Sequence, residues 1–144
     1  MEIDVVDFLK KENAFLNTFS SYEPTKKDNM EETYHKLLFY FKNDAVANKL
    51  FTLSKTYLES STVRNRDTER SFIIDTIQFY EKASEIFPKD DDEWEEVIRL
   101  SSEINQKYKE LNPDKDHPEY FNSYITTTLI VLLDVIQKQV KGGH

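Results

Sequence analysis

Glycine is nearly absent from this chain, and that absence constrains the fold more than any other feature of the sequence. The only two glycines are Gly142 and Gly143, beside the C-terminus. Phosphate-binding loops, dinucleotide-binding turns and the nucleophile elbow of hydrolases need glycine, and tight hairpin turns rely heavily on it. The sequence therefore excludes those functional sites and predicts an all-α fold.

The segment from Tyr120 to Val140 is the most apolar in the chain and predicts a central helix. At about 100° per residue, one broad stripe contains Phe121, Ile125, Leu129, Leu132, Leu133, Ile136 and Val140. Ile130 and Val131 lie outside this stripe. Either surrounding helices bury both, or both form an exposed strip that favours a homodimer or a partner groove. Leu129 and Leu132 are predicted to be buried in either case.

Hydrophobic spacing, capping residues and prolines divide the rest of the chain into five more predicted helices. They span about residues 4–19, 28–42, 45–59, 67–87 and 91–111, and the last begins after Asp116 or His117. The fourth is predicted to be capped by Asp67 or Thr68. The fifth is predicted to direct these residues inward: Trp94, Val97, Ile98, Ile104, Tyr108 and Leu111. The prediction is a single domain over residues 1–144, a compact bundle of about six antiparallel helices with the C-terminal helix central.

Charge and cysteine content exclude several classes of function. The net charge of −8 repels phosphate groups, which argues against direct binding of DNA or RNA. The chain contains no cysteine, so disulfides, thiol nucleophiles and thiolate metal sites are excluded.

The start of the sequence lacks the basic residues and apolar run of a signal peptide, and no run is long enough to span a membrane. The predicted location is the cytoplasm.

Two motifs within residues 50–88 have the spacing of a helical repeat. One consists of Leu50, Leu53, Ser54 and Tyr57, and the other of Tyr80, Ala83 and Pro88. Together they resemble a degenerate tetratricopeptide-like helical hairpin. Leucine replaces the usual tryptophan, serine replaces glycine, and the intervening turn is longer than in that repeat. The resemblance implies a groove that binds a peptide or protein, without catalysis.

An E-x-x-H motif lies on the second predicted helix. Glu32 and His35 share one helix face, so a carboxylate and an imidazole could bind one metal ion. Di-iron bundles need two such motifs and two further glutamates. The nearest second motif is Asp114 with His117, in a loop after a proline. The sequence therefore favours an exposed Glu and His, and no cofactor is predicted.

Three of the four arginines lie close together, at Arg64, Arg66 and Arg70. Their planar guanidinium groups suit recognition of phosphate or carboxylate, so this loop is one candidate for binding an anionic partner. The alternative is that they pair with neighbouring acidic residues or only solvate the loop.

A dense acidic run precedes and opens the fifth helix. It consists of Asp90, Asp91, Asp92, Glu93, Glu95 and Glu96, with Trp94 inside it. One interpretation is a contact surface for a basic partner or a mimic of nucleic-acid phosphates. The other is a solvated helix start that the helix dipole favours.

These observations predict a small acidic cytosolic module, such as an adaptor, an inhibitor or an immunity-type protein, that binds another protein and is not an enzyme. The partner is expected to have a basic or mixed surface, because complementary charge speeds association. The candidate contact residues are the acidic run, the three arginines of the loop, and Ile130 with Val131. The alternatives are a ligand- or metal-binding bundle, or an acidic mimic of nucleic acid.

Overall fold

The computed structural model describes residues 4–19 and 27–142, without the side chains of residues 27 and 28. This part of the chain forms six α-helices and no strand, which confirms the predicted all-α fold. The helices are α1 (Val5–Thr18), α2 (Lys27–Tyr40), α3 (Ala45–Ser60), α4 (Arg66–Ile86), α5 (Asp91–Leu111) and α6 (Glu119–Gly142). The predicted loop between the first two helices lies largely outside the described residues.

Side chains at the N-cap position begin four of these helices. Asp4, Asp44, Asn65 and Asp90 each accept a hydrogen bond from a backbone N–H in the first turn of their helix. These bonds satisfy donors that have no partner within the helix. The fourth helix had been predicted to start after Asp67 or Thr68. It starts earlier because Asn65 supplies the cap, accepting from Thr68 N at 3.0 Å.

Four helices form the core of the bundle. α1 packs against α3 and α4, and α6 packs against the same two helices from the other side. α5 lies against α4 and α6, whereas α2 packs on α3. The C-terminal helix therefore shares the centre of the fold with α3 and α4. None of the described helices has the length and apolar character needed to cross a membrane.

Aromatic rings fill much of this core. Phe8, Phe41 and Phe51 meet at one end of the core, with ring centroids 4.5–5.8 Å apart. The Tyr57 and Tyr124 rings stack with centroids 4.9 Å apart, joining α3 to α6. Large rings bury a large apolar area per residue, which suits a chain in which only 38% of residues are hydrophobic.

Burial along α5 and α6 confirms some predictions and corrects others. Leu129 and Leu132 are buried, as predicted. Ile98 and Leu111 were predicted to face inward but are about half exposed, at 50% and 49%. The inward face of α5 is narrow and consists of Val97, Ser101 and Tyr108. Among the described helices, α4 and α6 are the main ones that pack against α5.

The two residues outside the main stripe of α6 have different environments. Val131 is 6% exposed and Ile130 is 58% exposed. Neither predicted alternative, both buried or both exposed, is therefore correct. Adjacent helical residues point about 100° apart, and α3, α4 and α5 cover only part of the circumference of α6.

Candidate functional site

A shallow groove of about 450 Å³ lies between α5 and α6. Its apolar lining is Trp94 and Ile98 from α5 with Ile130 and Leu133 from α6, and Asp134 and Gln137 complete it. Ile98 and Ile130 are the most exposed of the four apolar residues, whereas Trp94 and Leu133 are half-buried. The structure thus joins two features that are 36 positions apart in sequence, the tryptophan of the acidic run and the exposed apolar residue of α6.

Helical spacing explains how the two sides of the groove arise. Trp94 and Ile98 are four positions apart, as are Ile130 and Asp134, so each pair projects from one face of its helix. A hydrogen bond further along holds the helices together, because the Thr126 hydroxyl donates to Asn105 Oδ1 at 2.8 Å.

Part of the acidic run stabilises the start of α5. Asp90 Oδ1 accepts from Glu93 N at 2.8 Å, and Glu93 Oε1 accepts from Lys89 N at 3.1 Å. Both Glu96 oxygens accept hydrogen bonds from Arg99, at 3.0 and 2.6 Å. The hydrogen bonds from Arg99 lower the pKa of Glu96. These three acidic residues therefore have structural partners, as the helix-start interpretation expects.

The other three acidic residues of the run are free to meet a partner. Asp91, Asp92 and Glu95 are exposed, and within the described part of the chain their side chains make no hydrogen bond or ion pair. Asp91 precedes Trp94 by three positions, and Glu95 precedes Ile98 by three. From this helical spacing we expect both carboxylates on the side of α5 that carries Trp94 and Ile98, next to the groove but outside its lining. Asp134, across the groove, is paired with Lys138 at 3.2 Å.

The three arginines of the loop do not form one exposed patch. Arg64 is almost buried and binds both Glu69 oxygens, at 2.7 and 2.8 Å, while it also donates to Phe19 O at 2.6 Å. Arg66 binds Glu69 at 3.2 Å and the backbone carbonyl of Asn13 at 3.0 Å. These contacts tie the end of α1 to the start of α4.

Arg70 differs from the other two arginines. Its side chain is exposed and pairs with Asp67 at 2.7 Å. All three arginines of the loop therefore pair with nearby acidic residues, which was the predicted alternative to a site for an anionic partner.

Two buried carboxylates, Glu12 and Glu69, were missed from the sequence. Glu12 Oε1 accepts hydrogen bonds from the Ser54 and Tyr124 hydroxyls, each at 2.7 Å, and Glu69 accepts one from the Tyr57 hydroxyl at 2.6 Å. The sequence contained a signal for the burial of both. Each lies on the apolar stripe of its helix, Glu12 between Phe8 and Phe15 and Glu69 three positions before Phe72.

Burial changes the proton affinity of groups in this buried cluster, which consists of Glu12, Ser54, Tyr57, Glu69 and Tyr124. Burial, opposed by the two hydroxyl hydrogen bonds, raises the pKa of Glu12 to about 7. Burial and the neighbouring carboxylates also raise the pKa values of Tyr57 and Tyr124, so both phenols remain neutral hydrogen-bond donors at physiological pH. The cluster connects the four core helices, and it does not open into the α5–α6 groove.

The E-x-x-H residues lie on the surface of α2. Glu32 pairs with Lys36 at 3.1 Å, and His35 lies 3.8 Å from Glu31. Asp114 accepts from His117 N at 2.9 Å, which shapes the turn before α6. Among the described residues, no group of three or more His, Cys, Asp or Glu side chains is arranged to hold a metal ion.

In comparisons with protein-family models, curated proteins and solved structures, no match to this chain was found. The tetratricopeptide-like resemblance of residues 50–88 therefore stays a prediction. Its residues lie on α3 and α4, except Pro88, which follows α4, and these two helices are on opposite sides of the four-helix core.

Proposed function

We propose that this chain is a cytoplasmic protein-binding module whose α5–α6 groove accepts a basic amphipathic helix of another protein. The observation that carries the proposal is the apolar groove flanked by unpaired carboxylates. Ile98 and Ile130 are each at least half exposed in this groove. Asp91 and Glu95 are exposed on α5, about one helical turn from Trp94 and Ile98. An amphipathic helix buries its apolar face in such a groove through residues spaced by three or four positions.

Charge selects the chemistry of the partner. The chain carries a net charge of −8, which includes the exposed carboxylates Asp91 and Glu95 of α5. A second copy of the chain would bring an equally acidic groove against the first, and like charges oppose that association. A helix with lysines or arginines beside its apolar stripe instead gains attraction from Asp91 and Glu95. A basic partner therefore fits better than self-association.

The groove can be tested through its own tryptophan. Trp94 is the only tryptophan of the chain, so its fluorescence reports on the groove alone. Titration with a synthetic leucine–lysine amphipathic helix is expected to shift the Trp94 emission in a saturable way. Added salt should weaken the binding, because the flanking carboxylates are exposed. A peptide with serine in place of leucine should not bind, and no shift with the amphipathic peptide at low salt would contradict the proposal.

Matched variants separate the groove from the rest of the surface. Ile130→Gln is expected to weaken peptide binding at least about tenfold, as loss of a central apolar contact does. Ile74→Gln changes a comparably exposed isoleucine of α4 outside the groove and should leave affinity unchanged. Equal affinity of the two variants would contradict the assignment. If light scattering shows a dimer that Ile130→Gln dissociates, the groove binds a second copy of this chain. The proposal that it binds a different protein would then be wrong.

Charge variants test the choice of partner. Glu95→Gln is expected to lower peptide affinity and to reduce its dependence on salt. Glu32→Gln removes the same charge from α2, a helix that does not line the groove. It should leave the peptide titration unchanged at every salt concentration. Equal effects of the two variants would show that net charge, and not the groove, attracts the peptide.

A further inference from the structure

Glu12 is a carboxyl group in the centre of the four-helix core. It is 0% exposed and lies on the buried face of α1, four positions after Phe8 and three before Phe15. The same face of α1 packs against α3 and α4, and Glu12 reaches α6 through Tyr124. A charge at such a position is costly unless a cation or several hydrogen bonds compensate it.

The contacts of Glu12 suit a neutral carboxylic acid better than a carboxylate. Oε1 accepts from the Ser54 and Tyr124 hydroxyls, each at 2.7 Å. Oε2 is buried and has no hydrogen-bond partner within the described residues. Two neutral donors on one oxygen leave a full negative charge poorly compensated, whereas the neutral acid has a far smaller desolvation cost.

Among the described residues, the ionisable groups around Glu12 do not supply a compensating cation. α3 contributes Tyr57 and α6 contributes Tyr124, and both phenols remain neutral because their pKa values are raised. α4 contributes Glu69, whose charge is compensated by Arg64 and Arg66. Both nearby arginines are therefore committed to the other buried carboxylate.

We propose that Glu12 is a proton-dependent latch: its neutral carboxyl holds α1 against α3 and α6, and loss of its proton to solvent loosens α1 from the bundle. This inference stands apart from the α5–α6 groove, which Glu12 does not line. The latch would make the packing of α1 against the bundle strongest in acidic solution and weaker at neutral and alkaline pH.

The direction of the pH dependence follows from the two protonation equilibria. Burial raises the pKa of Glu12 from its ordinary value of 4.5 to about 7 in the folded chain. The folded state therefore holds the proton more tightly than the unfolded state. The contribution of Glu12 to stability is fully present below pH 4.5 and is lost as pH rises through about 7, the pKa in the folded chain.

The test compares the wild-type chain with Glu12→Gln, whose neutral amide has nearly the same shape. Chemical denaturation at pH 5 and pH 8 measures the folding equilibrium constant of each. Relative to the variant, the wild-type constant is expected to fall on the order of 50- to 100-fold between these two pH values. The other titrating groups are common to both chains and cancel. An equal pH dependence of the two chains would overturn the proposal.

Hydrogen exchange locates the effect within the molecule. After correction for the intrinsic pH dependence of exchange, wild-type α1 amides should lose protection between pH 6 and pH 8 more than α5 amides. In Glu12→Gln this difference should disappear. Uniform loss of protection in both helices, or none in either, would overturn the assignment to α1.

A measurement on the unmodified chain keeps the proposal testable if Glu12→Gln does not fold. The ¹³C chemical shift of the Glu12 carboxyl, followed by NMR, should titrate with a midpoint near pH 7. A midpoint near the ordinary value of 4.5 would show that Glu12 is ionised in the folded protein at neutral pH, and the latch would be wrong.

Discussion

Replacing Arg64 with alanine is expected to lower the free energy of unfolding by about 3–5 kcal/mol, as removal of one partner of a buried ion pair does. The side chain of Arg64 is 6% exposed and that of Glu69 is 1% exposed. The Arg64 guanidinium binds both oxygens of the carboxylate and also lies 5.6 Å from the centre of the Tyr57 ring. Without it, the partners that remain for the buried Glu69 charge among the described residues are Arg66 and the Tyr57 hydroxyl.

The control for this prediction is Arg70→Ala, on the same short segment. Arg70 is 57% exposed and its partner Asp67 is 86% exposed, so their ion pair is surrounded by solvent. Removing Arg70 should change the free energy of unfolding by less than about 1 kcal/mol. Urea denaturation followed by circular dichroism measures both variants. Similar, small losses would contradict a structural role for Arg64.

A conservative variant separates the charge of Arg64 from its shape. Arg64→Lys keeps the positive charge but loses the planar fork that binds both Glu69 oxygens and the Phe19 carbonyl together. Its stability should fall between those of wild type and Arg64→Ala. If Arg64→Lys is as stable as wild type, the positive charge alone stabilises Glu69, and the bidentate contact contributes nothing measurable.

Leu132→Ala is the second change with a large expected effect, a loss of about 2–5 kcal/mol from the lost transfer free energy and the cavity that remains. Leu132 is 1% exposed on α6, which packs against α3, α4 and α5. A loss of this size is a large part of the roughly 5–15 kcal/mol that stabilises a typical domain. Thermal denaturation followed by circular dichroism should show a clearly lower midpoint.

Ile130 provides the matched control on the same helix. It precedes Leu132 by two positions and is 58% exposed, so Ile130→Ala should change stability by less than about 1 kcal/mol. Ile130→Glu should also leave the chain folded, because the new carboxylate can remain in water. If Leu132→Ala leaves the melting temperature unchanged, α6 does not hold the core together in the way described.

The sequence predicted much of the helical architecture. The prolines, the near absence of glycine and the spacing of apolar residues located the helices, with most boundaries close to those observed. The start of α4 was missed because Asn65 and Asp67 are both good capping residues and only geometry selects between them. The groove could be predicted only in part, because Trp94 and Ile130 were noted separately with nothing to place them together.

What the sequence determined alone is local: an all-α chain, its helix limits and the broad apolar stripe of α6. Tertiary structure decided which of the neighbours Ile130 and Val131 is buried, and which charges enter the core. Helical periodicity depends on residues within a turn or two of one another, so the sequence contains it directly. Burial depends on which helices pack against a given face. Glu12 meets Tyr124 across 112 positions, and no local pattern encodes that distance.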